Sequence, residues 1–163
     1  MKIVSGGQTG VDRAALDAAI VLALAYGGWC PRGGWAEDFP TPPGLLACYP
    51  GLVETPSRDP AERTRWNVRD SDRTLILIDA GGIDRSRGTT LTLRLARQYR
   101  RPQLIVDLDR SDATSRVLAW LGDADDDLTL NVAGPRESGA PGIYEKARAT
   151  LIRVLGRPSE RGA

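Results

Sequence analysis

Short apolar runs alternate along this chain with longer segments in which apolar residues recur every three or four positions. The runs Ile3–Val4, Leu75–Ile78 and Leu104–Val106 contain no polar residue, which is typical of strands buried on both faces of a sheet. The alternation predicts an α/β fold in which helices cover a mostly parallel sheet of about six strands. The predicted strands are Lys2–Ser5, Tyr26–Cys30, Leu52–Glu54, Thr74–Asp79, Gln103–Leu108 and Leu128–Val132.

Helix starts are predicted from capping residues. The first helix places an apolar face at i, i+3, i+4 spacing, and the segment after Ser86 also leads into a helix. Residues 41–51 contain three prolines and predict an irregular connection. The other signals are a capping box of Thr9 with Asp12, a cap and early proline at Asp59-Pro60 with Glu62, a cap at Ser111 for a helix to about Leu121, and a last helix from near Pro141 that ends before Gly156.

Length and composition indicate one globular domain. The chain has 163 residues, of which 41% are hydrophobic and 26% charged. We expect residues 1–156 to form a single ligand-binding domain and residues 157–163 a loose C-terminal tail. No apolar run reaches the roughly 18 residues of a membrane-spanning helix. The opening residues MKIVSGG lack the pattern of a secretory signal peptide, so a cytoplasmic protein is expected.

Charge and reactive side chains exclude several function classes. The net charge is +1 and no basic stripe interleaves with aromatic residues, so nucleic acid is not an expected partner. The absence of histidine excludes Ser–His and Cys–His catalysis and every metal site that needs imidazole. Two cysteines, Cys30 and Cys48, do not make a zinc site or a disulfide framework. We therefore assign neither catalytic nor metal-ligating residues.

The strongest local signal is SGGQTG, from Ser5 to Gly10, between a predicted strand and a predicted helix. Glycines allow a ligand to approach the backbone, and the free N–H groups of the first helical turn favour an anion. The loop is not a Walker A motif, because no Lys-Ser/Thr pair follows it, and its glycine spacing is not GxGxxG. The alternative is a tight turn that needs glycine for its geometry alone. We favour an anion-binding loop for a phosphate-bearing, nucleotide-like ligand.

Three further loops combine glycine with arginine or hydroxyl side chains. They are Cys30 to Gly34 with Glu37 and Asp38 beyond it, Gly81-Gly82 with Ser86 to Thr90, and Asn131 to Ser138. Because the carboxyl ends of parallel strands share one edge of the sheet, these loops are expected to converge there on one anionic ligand.

Other polar and aromatic residues favour structural roles. Arg63, Asn67 and Asp70 form one stripe at helical spacing, for which a solvated face is the favoured interpretation. Cys30 suits a small buried hydrophobe better than a soft metal ligand. Three of the four tryptophans suit packing, whereas Trp35 falls in a Gly-rich loop and could stack on a ligand.

Five motifs in order resemble a known family. SGGQTGVDRAALDAA, GGWCPRGGWAED, RTRWNVRDSDRTLIL, RGTTLTLRLA and NVAGPRES are similar to the molybdenum cofactor carrier proteins. These belong to a Rossmann-like superfamily that also contains the lysine-decarboxylase-like phosphoribohydrolases. The resemblance runs from about Lys2 to Leu155. It implies a Rossmann-like three-layer sandwich, a homo-oligomer, and protective binding of molybdenum cofactor, or a related phosphorylated pterin such as molybdopterin, without turnover.

The resemblance also implies a ligand site. Backbone N–H groups suit the phosphate of the cofactor, while Arg32 and Arg136 suit phosphate or oxo oxygens. Molybdoenzymes that receive the cofactor are the implied protein partners. The implied cofactor-binding residues are Gly6, Gly7, Gln8, Thr9, Gly10, Arg32, Gly33, Gly88, Thr89, Thr90, Gly134, Arg136, Glu137 and Ser138.

Two departures from the family patterns bear on the function: the first counts against nucleotide hydrolysis, and the second leaves the identity of the ligand open. The phosphoribohydrolases have an acid shortly after their GGxGT stretch, and none follows Thr90 here before Leu93. Arg87 stands where the carrier proteins have a glycine. The first alternative is a nucleotide or phosphoribosyl hydrolase with Glu37, Asp38 or Glu137 as general base. The second is a sensor of a nucleotide derivative.

Overall fold

A six-stranded, all-parallel sheet forms the centre of the molecule, as seen in a computed structural model that describes residues 1–122 and 127–156. The predicted tail at 157–163 lies outside the described residues. The strand order is β3-β2-β1-β6-β4-β5. The fold is therefore α/β and Rossmann-like, as predicted. The strands are β1 (Lys2–Val4), β2 (Ala25–Cys30), β3 (Leu52–Glu54), β4 (Arg73–Ile78), β5 (Gln103–Asp107) and β6 (Thr129–Ala133).

Helices cover both faces of the sheet. One layer contains the helices that follow β1, β5 and β6, and the other contains the helices that follow β3 and β4. The helices are α1 (Val11–Val21), α2 (Leu45–Cys48), α3 (Pro60–Arg69), α4 (Arg87–Gln98), α5 (Ala113–Leu121) and α6 (Ile143–Leu155), with a 3-10 turn at Ile83–Arg85. The short α2 lies in the segment predicted to be irregular.

Each of the six predicted strands corresponds to an observed strand within one residue at either end. Strand β1 lies inside the sheet, with Ile3 paired to Tyr26 of β2 and to Leu130 of β6. Ile3 and Leu130 are fully buried. Their apolar side chains pack with the small residues of α1, including Ala14 and Ala18, in the largest core cluster. Alanines on this face bring α1 close to the sheet.

Helix starts agree with the capping signals at one position and differ at two. Asp59 caps α3, where its carboxylate accepts the N–H of Ala61 at 2.9 Å. The capping box of Thr9 with Asp12 is wrong, because the cap of α1 is Gly10, at φ 77°, without a side-chain bond. The cap at Ser111 is also wrong. Helix α5 begins one residue later, with Asp112 at its cap and no side-chain capping bond.

Candidate functional site

A cavity of about 360 Å³ opens at the carboxyl edge of the sheet, and we refer to it as the central cavity. It lies where the loops after β6 and β4 lead to helices on opposite faces, which is the usual ligand position in open α/β sheets. Its walls come from the loops after β1, β4 and β6 and from the first turns of α3 and α4. Three of the four loops predicted to converge therefore meet at this cavity.

Arginines outnumber carboxylates on the walls of the central cavity by four to two. The arginines are at positions 63, 85, 87 and 136, and the acids are Asp12 and Asp79. Arg87 is exposed and has no hydrogen-bond or ion-pair partner within residues 1–122 and 127–156. This surplus of guanidinium groups suits an anionic ligand.

A second guanidinium without an ion pair among the described residues, that of Arg136, lies over the ring of Trp35. The Arg136 guanidinium lies over the Trp35 ring, 5.5 Å from its centroid, and forms no ion pair among the residues described. The aromatic face attracts the cation and holds it on the rim of the cavity. Trp35 contacts a cavity residue in this way but is not itself part of the cavity wall.

A buried ion pair lies at the inner end of the central cavity. The Arg63 Nη1 atom is 2.8 Å from Oδ2 of Asp12, and only 4% of the Asp12 side chain is exposed. Burial raises the pKa of the Asp12 carboxyl, although Arg63 and the backbone N–H groups of Gln8 and Gly134 act against this. The protein's own carboxylate thus occupies the anion-favouring position at the start of α1.

Gly6 makes room for this ion pair. A Cβ atom on Gly6 would lie 1.7 Å from Nη1 of Arg63. Gly10 similarly allows close packing of two loops, since its Cβ would lie 2.3 Å from the carbonyl oxygen of Pro135. These two glycines of the Gly-rich loop therefore admit protein groups, an arginine and a neighbouring backbone.

The polar side chains of the same loop join it to the loop after β2. Oε1 of Gln8 accepts the N–H groups of Thr9 and Glu37 at 3.0 and 2.9 Å. The Thr9 hydroxyl donates to Glu37, and the Ser138 hydroxyl donates to the same carboxylate at 2.7 Å. Thr9 and Ser138 are thus engaged in a network that ties three loops together.

The predicted binding residues divide into three groups. Lining the central cavity are Gln8, Gly88, Gly134, Arg136 and Ser138. Three others line a second cavity of about 390 Å³ beside α1 and α6, namely Thr9, Gly10 and Glu137. Lining neither cavity are Gly6, Gly7, Arg32, Gly33, Thr89 and Thr90.

Helix α4 presents one of its predicted residues to the central cavity. Ser86 caps the helix and accepts the N–H of Thr89, whose side chain is buried. The Thr90 hydroxyl donates to the backbone carbonyls of Ile83 and Ser86. Gly88 differs from both threonines, because a Cβ there would meet no atom within 4 Å. The first turn of α4 is therefore open to a ligand at Gly88.

The loop after β2 places Arg32 and Gly33 next to the edge strand β3. The Arg32 side chain is exposed, and its backbone N–H donates to the carbonyl of Ser57 at 2.9 Å. The N–H of Gly33 donates to the Glu54 carboxylate at the end of β3. These contacts hold the loop, and they place the Arg32–Gly33 pair outside the central cavity.

The three candidate general bases all accept hydrogen bonds. Glu37 accepts the hydroxyls of Thr9 and Ser138, and Asp38 forms a two-pronged pair with Arg13 at 2.9 Å for each bond. Partial burial acts to raise the pKa of Glu37, but the two hydroxyls, the backbone N–H of Ser138 and the charge of Arg136 together outweigh it, so the pKa is lowered. Glu137 accepts two backbone N–H groups at the start of α6. None of the three carboxylates lines the central cavity.

The polar stripe on α3 packs against the protein. Asn67 is 2% exposed, and it accepts the N–H of Trp29 at 2.7 Å and donates to the Trp29 carbonyl at 2.9 Å. Asp70 accepts the indole N–H of Trp29 at 2.8 Å. Asn67 and Asp70 thus fix α3 onto β2, and the ion pair of Arg63 with Asp12 joins α3 to α1. The interpretation as a solvated face is wrong for Arg63 and Asn67, because helical spacing identifies a shared face but not what covers it, whereas 40% of the Asp70 side chain is exposed.

The sequence of this chain matches the model of a known protein family. The model of the circularly permutated YpsA SLOG family matches residues 3–155. The chain belongs to this family. A crystal structure of a protein named putative molybdenum carrier protein, from Syntrophus aciditrophicus SB, is 40% identical, with a TM-score of 0.79. The match covers 94% of this chain and 93% of that protein. No curated protein matches the chain. The suspected family relationship is confirmed.

In this SLOG-family chain, five charged residues of the cavity wall are not among the predicted site residues: Asp12, Arg63, Asp79, Arg85 and Arg87. The sequence places Arg63 in a polar stripe and Asp12 in a capping signal, and neither pattern indicates a cavity residue. Asp79 ends the fourth predicted strand, and its position at the carboxyl end of a buried strand is the signal that could have identified it.

Cys30 packs as a hydrophobic residue, as expected. It is fully buried in an apolar cluster with Leu16 and Leu45, and burial raises the pKa of its thiol to about 11. Within the described ranges, no group of three or more acidic or cysteine side chains could hold a metal ion. None of the helices in those ranges is long and apolar enough to cross a membrane.

Proposed function

We propose that this protein binds molybdenum cofactor, or a related phosphorylated pterin, in the central cavity and carries it without turnover. The observation that supports this most is the pair of guanidinium groups at the cavity, Arg87 and Arg136, that form no ion pair among the described residues, although the charge of Arg136 helps to lower the pKa of Glu37. Such groups on a pocket wall favour phosphate or oxo oxygens as ligands. The name of the 40% identical neighbour, a putative molybdenum carrier protein, agrees with this ligand class.

The residues present fit such a ligand. A cavity of about 360 Å³ is in the size range of small-molecule sites. Arg87 and Arg136 would hold the phosphate, and Gly88 leaves the first turn of α4 open beside them. When bound, the cofactor supplies a molybdenum–dithiolene centre, and the role of the protein is to shelter that centre from solvent. This assignment moves the phosphate from the Gly-rich loop, whose anion position is taken by Asp12, to the start of α4.

Binding without turnover is supported by the state of the three carboxylates named as candidate general bases. A general base must reach the substrate with a free lone pair and a pKa near the working pH. Glu37, Asp38 and Glu137 are instead held by hydroxyl, guanidinium and backbone donors. The pKa values of Glu37 and Asp38 lie below their ordinary values. Neither is suited to removing a proton at neutral pH.

A thermal-shift comparison tests the proposal. The probes are molybdopterin with and without molybdenum, molybdate, AMP, NAD and ADP-ribose. A ligand at about 100 times its dissociation constant adds about 2.7 kcal/mol to the free energy of unfolding, which raises Tm by roughly 5–10 °C in a domain of this size. We expect this shift from the pterin ligands. A shift from AMP or ADP-ribose alone would contradict the proposal.

Two variants locate the binding site. Arg136→Ala should abolish most of the thermal shift, because it removes a guanidinium from the cavity rim. Arg65→Ala is the matched control, since Arg65 is an exposed arginine on α3 outside both cavities. Equal loss of the shift in both variants would indicate a general charge effect and would contradict the assigned site.

Transfer of the cofactor tests the carrier role. Loaded protein mixed with an apo-molybdoenzyme should restore that enzyme's activity more completely after a delay in air than free cofactor does. Retention of the cofactor without any transfer would contradict carriage while leaving binding intact. Homo-oligomeric assembly and a cytoplasmic location are further expectations, and light scattering coupled to gel filtration measures the first of them.

A further inference from the structure

We propose that Asp79 recognises the 2-amino-4-oxopyrimidine edge that pterins share with guanine, and so selects the ring system of the ligand. The pterin half of this inference rests on the proposed function. Asp79 directly follows β4, at the point where this buried strand opens into the central cavity. Its side chain is 20% exposed, so the carboxylate is shielded from bulk water but accessible to a ligand.

The Asp79 carboxylate has acceptor capacity to spare. Oδ1 accepts the backbone N–H of Gly81 at 3.1 Å. Oδ2 has a long contact of 3.5 Å with Nη1 of Arg85, whose side chain is 52% exposed. An ionised carboxylate offers about four lone-pair positions. At least two of them therefore remain available for donors on a ligand.

The other acid of the central cavity, Asp12, does not have this capacity. Arg63 donates to it at 2.8 Å, and the backbone N–H groups of Gln8 and Gly134 bond to it as well. Its side chain is only 4% exposed. Among the described residues that line the cavity, Asp79 is thus the carboxylate that a ligand can use.

The cavity wall consequently carries two chemically different kinds of group. Arg87, at the start of α4, and Arg136, after β6, supply cations that form no ion pair among the described residues. Asp79, after β4, supplies an acceptor. A ligand that matches both kinds of group carries an anionic group and paired hydrogen-bond donors.

The 2-amino-4-oxopyrimidine ring supplies such a donor pair. Its ring N–H and its exocyclic amino group lie side by side and point the same way, so both can donate to one carboxylate. Charge-assisted bonds of this kind are roughly twice as strong as neutral ones. Hypoxanthine lacks the amino group, and adenine has no adjacent ring N–H and amino donors on the corresponding edge. Asp79 should therefore reject both bases relative to guanine.

Mononucleotides test this selectivity without any variant. GMP and IMP differ by one exocyclic amino group, so calorimetric titration of the wild-type protein with each isolates the contribution of that group. Loss of one hydrogen bond to a charged partner corresponds to about a tenfold change in the dissociation constant. We expect GMP to bind about tenfold more tightly than IMP. Equal affinities, or no binding of either nucleotide at millimolar concentration, would overturn the inference.

Asp79→Asn assigns the effect to this residue. The amide oxygen can still accept the N–H of Gly81, but the carboxylate acceptor pair is lost. The variant should bind GMP and IMP equally. Asp84→Asn is the matched control, because Asp84 is an exposed acid outside the cavity and its substitution removes the same charge. Retention of the GMP preference in Asp79→Asn would overturn the role of Asp79.

The outcome is separable from that of the proposed function. If molybdopterin binds and GMP shows no preference over IMP, the role of Asp79 fails and the carrier proposal stands. If molybdopterin does not bind while GMP still binds better than IMP, the carrier proposal fails. Asp79 then selects a guanine nucleotide in place of a pterin.

Discussion

Substitution of Gly6 by alanine tests how the Gly-rich loop works. The new Cβ would lie 1.7 Å from Nη1 and 2.3 Å from Cζ of Arg63. The end of an arginine side chain can move, but this one must leave Asp12 in order to do so. The backbone of Gly6 itself imposes no penalty, because Gly6 is not among the glycines with positive φ. The expected loss of stability therefore comes only from breaking the ion pair between Arg63 and Asp12.

The magnitude follows from the burial of that pair. Breaking a buried ion pair costs about 3–5 kcal/mol, because one charge is left uncompensated. The side chains of Arg63 and Asp12 are 13% and 4% exposed, so solvent relieves little of this penalty. Because alanine restricts the unfolded chain more than glycine does, the substitution also raises the free energy of unfolding by about 0.4–1 kcal/mol. The net loss is about 2–4 kcal/mol, or a Tm lower by roughly 5–15 °C.

Urea denaturation of four proteins measures the effect: the wild type, Gly6→Ala, Arg63→Ala and the double variant. With Arg63 already removed, Gly6→Ala should cost less than about 0.5 kcal/mol, since the clash is gone. Gly88→Ala is the control, because its Cβ meets no atom within 4 Å. The reasoning would be refuted if Gly6→Ala lowered the free energy of unfolding of the otherwise unchanged protein by less than about 1 kcal/mol, or by the same amount with and without Arg63.

Three further changes test other contacts. Asn67→Ala should lower the free energy of unfolding by about 2–4 kcal/mol in urea denaturation, because it leaves the N–H and carbonyl of Trp29 unpaired. Glu137→Ala should cost about 1–2 kcal/mol in the same assay, since its carboxylate caps α6. Glu37→Gln tests pH dependence. The pKa of Glu37 is lowered from 4.5, so the carboxylate stabilises the fold above that pH and loses its effect as the pH falls through the native pKa. Denaturation curves from pH 7 to pH 3 should therefore converge for the two proteins at the acid end.

Matched controls separate these effects from general destabilisation. Arg65→Ala, on the exposed side of α3, should change stability by less than about 0.5 kcal/mol. Glu145→Gln, an exposed acid near the start of α6, should show no convergence with pH. If the Glu37→Gln curve instead diverges from the wild type in acid, the pKa of Glu37 is raised in the folded state and the described network is wrong.

The sequence predicted most of the fold because strand signals in a buried parallel sheet are local. Runs such as Leu75–Ile78 are apolar throughout, and no other element explains them at that length. Capping was less predictable. Thr9 has the right side chain for a cap, but Gly10 can adopt a positive φ and takes the cap position instead. The Thr9 hydroxyl then bonds to Glu37, which no local pattern indicates.

The sequence predicted the edge of the sheet at which the candidate site lies better than it predicted the residues that line the site. The rule that ligands bind at strand carboxyl ends predicted that the loops converge, and three of the four meet at the central cavity. It could not show that Asp12 occupies the anion position at α1, because that depends on Arg63 from a different helix layer. Glycines in this loop indicate that another chemical group approaches the backbone closely, which favours a ligand-binding loop. Sequence alone does not distinguish a ligand from an arginine.

The contact between Arg63 and Gly6 also implies an order of change at the two positions. With Arg63 present, a side chain at position 6 would displace the guanidinium from Asp12, so we expect glycine to accompany this arginine. Once the arginine is lost, position 6 is released and can acquire a larger residue. We expect such a residue to fill the space of the guanidinium and so to hinder the return of the arginine. Loss of the arginine should therefore precede the gain of a side chain at position 6, and sequences with a side chain there should lack arginine at position 63.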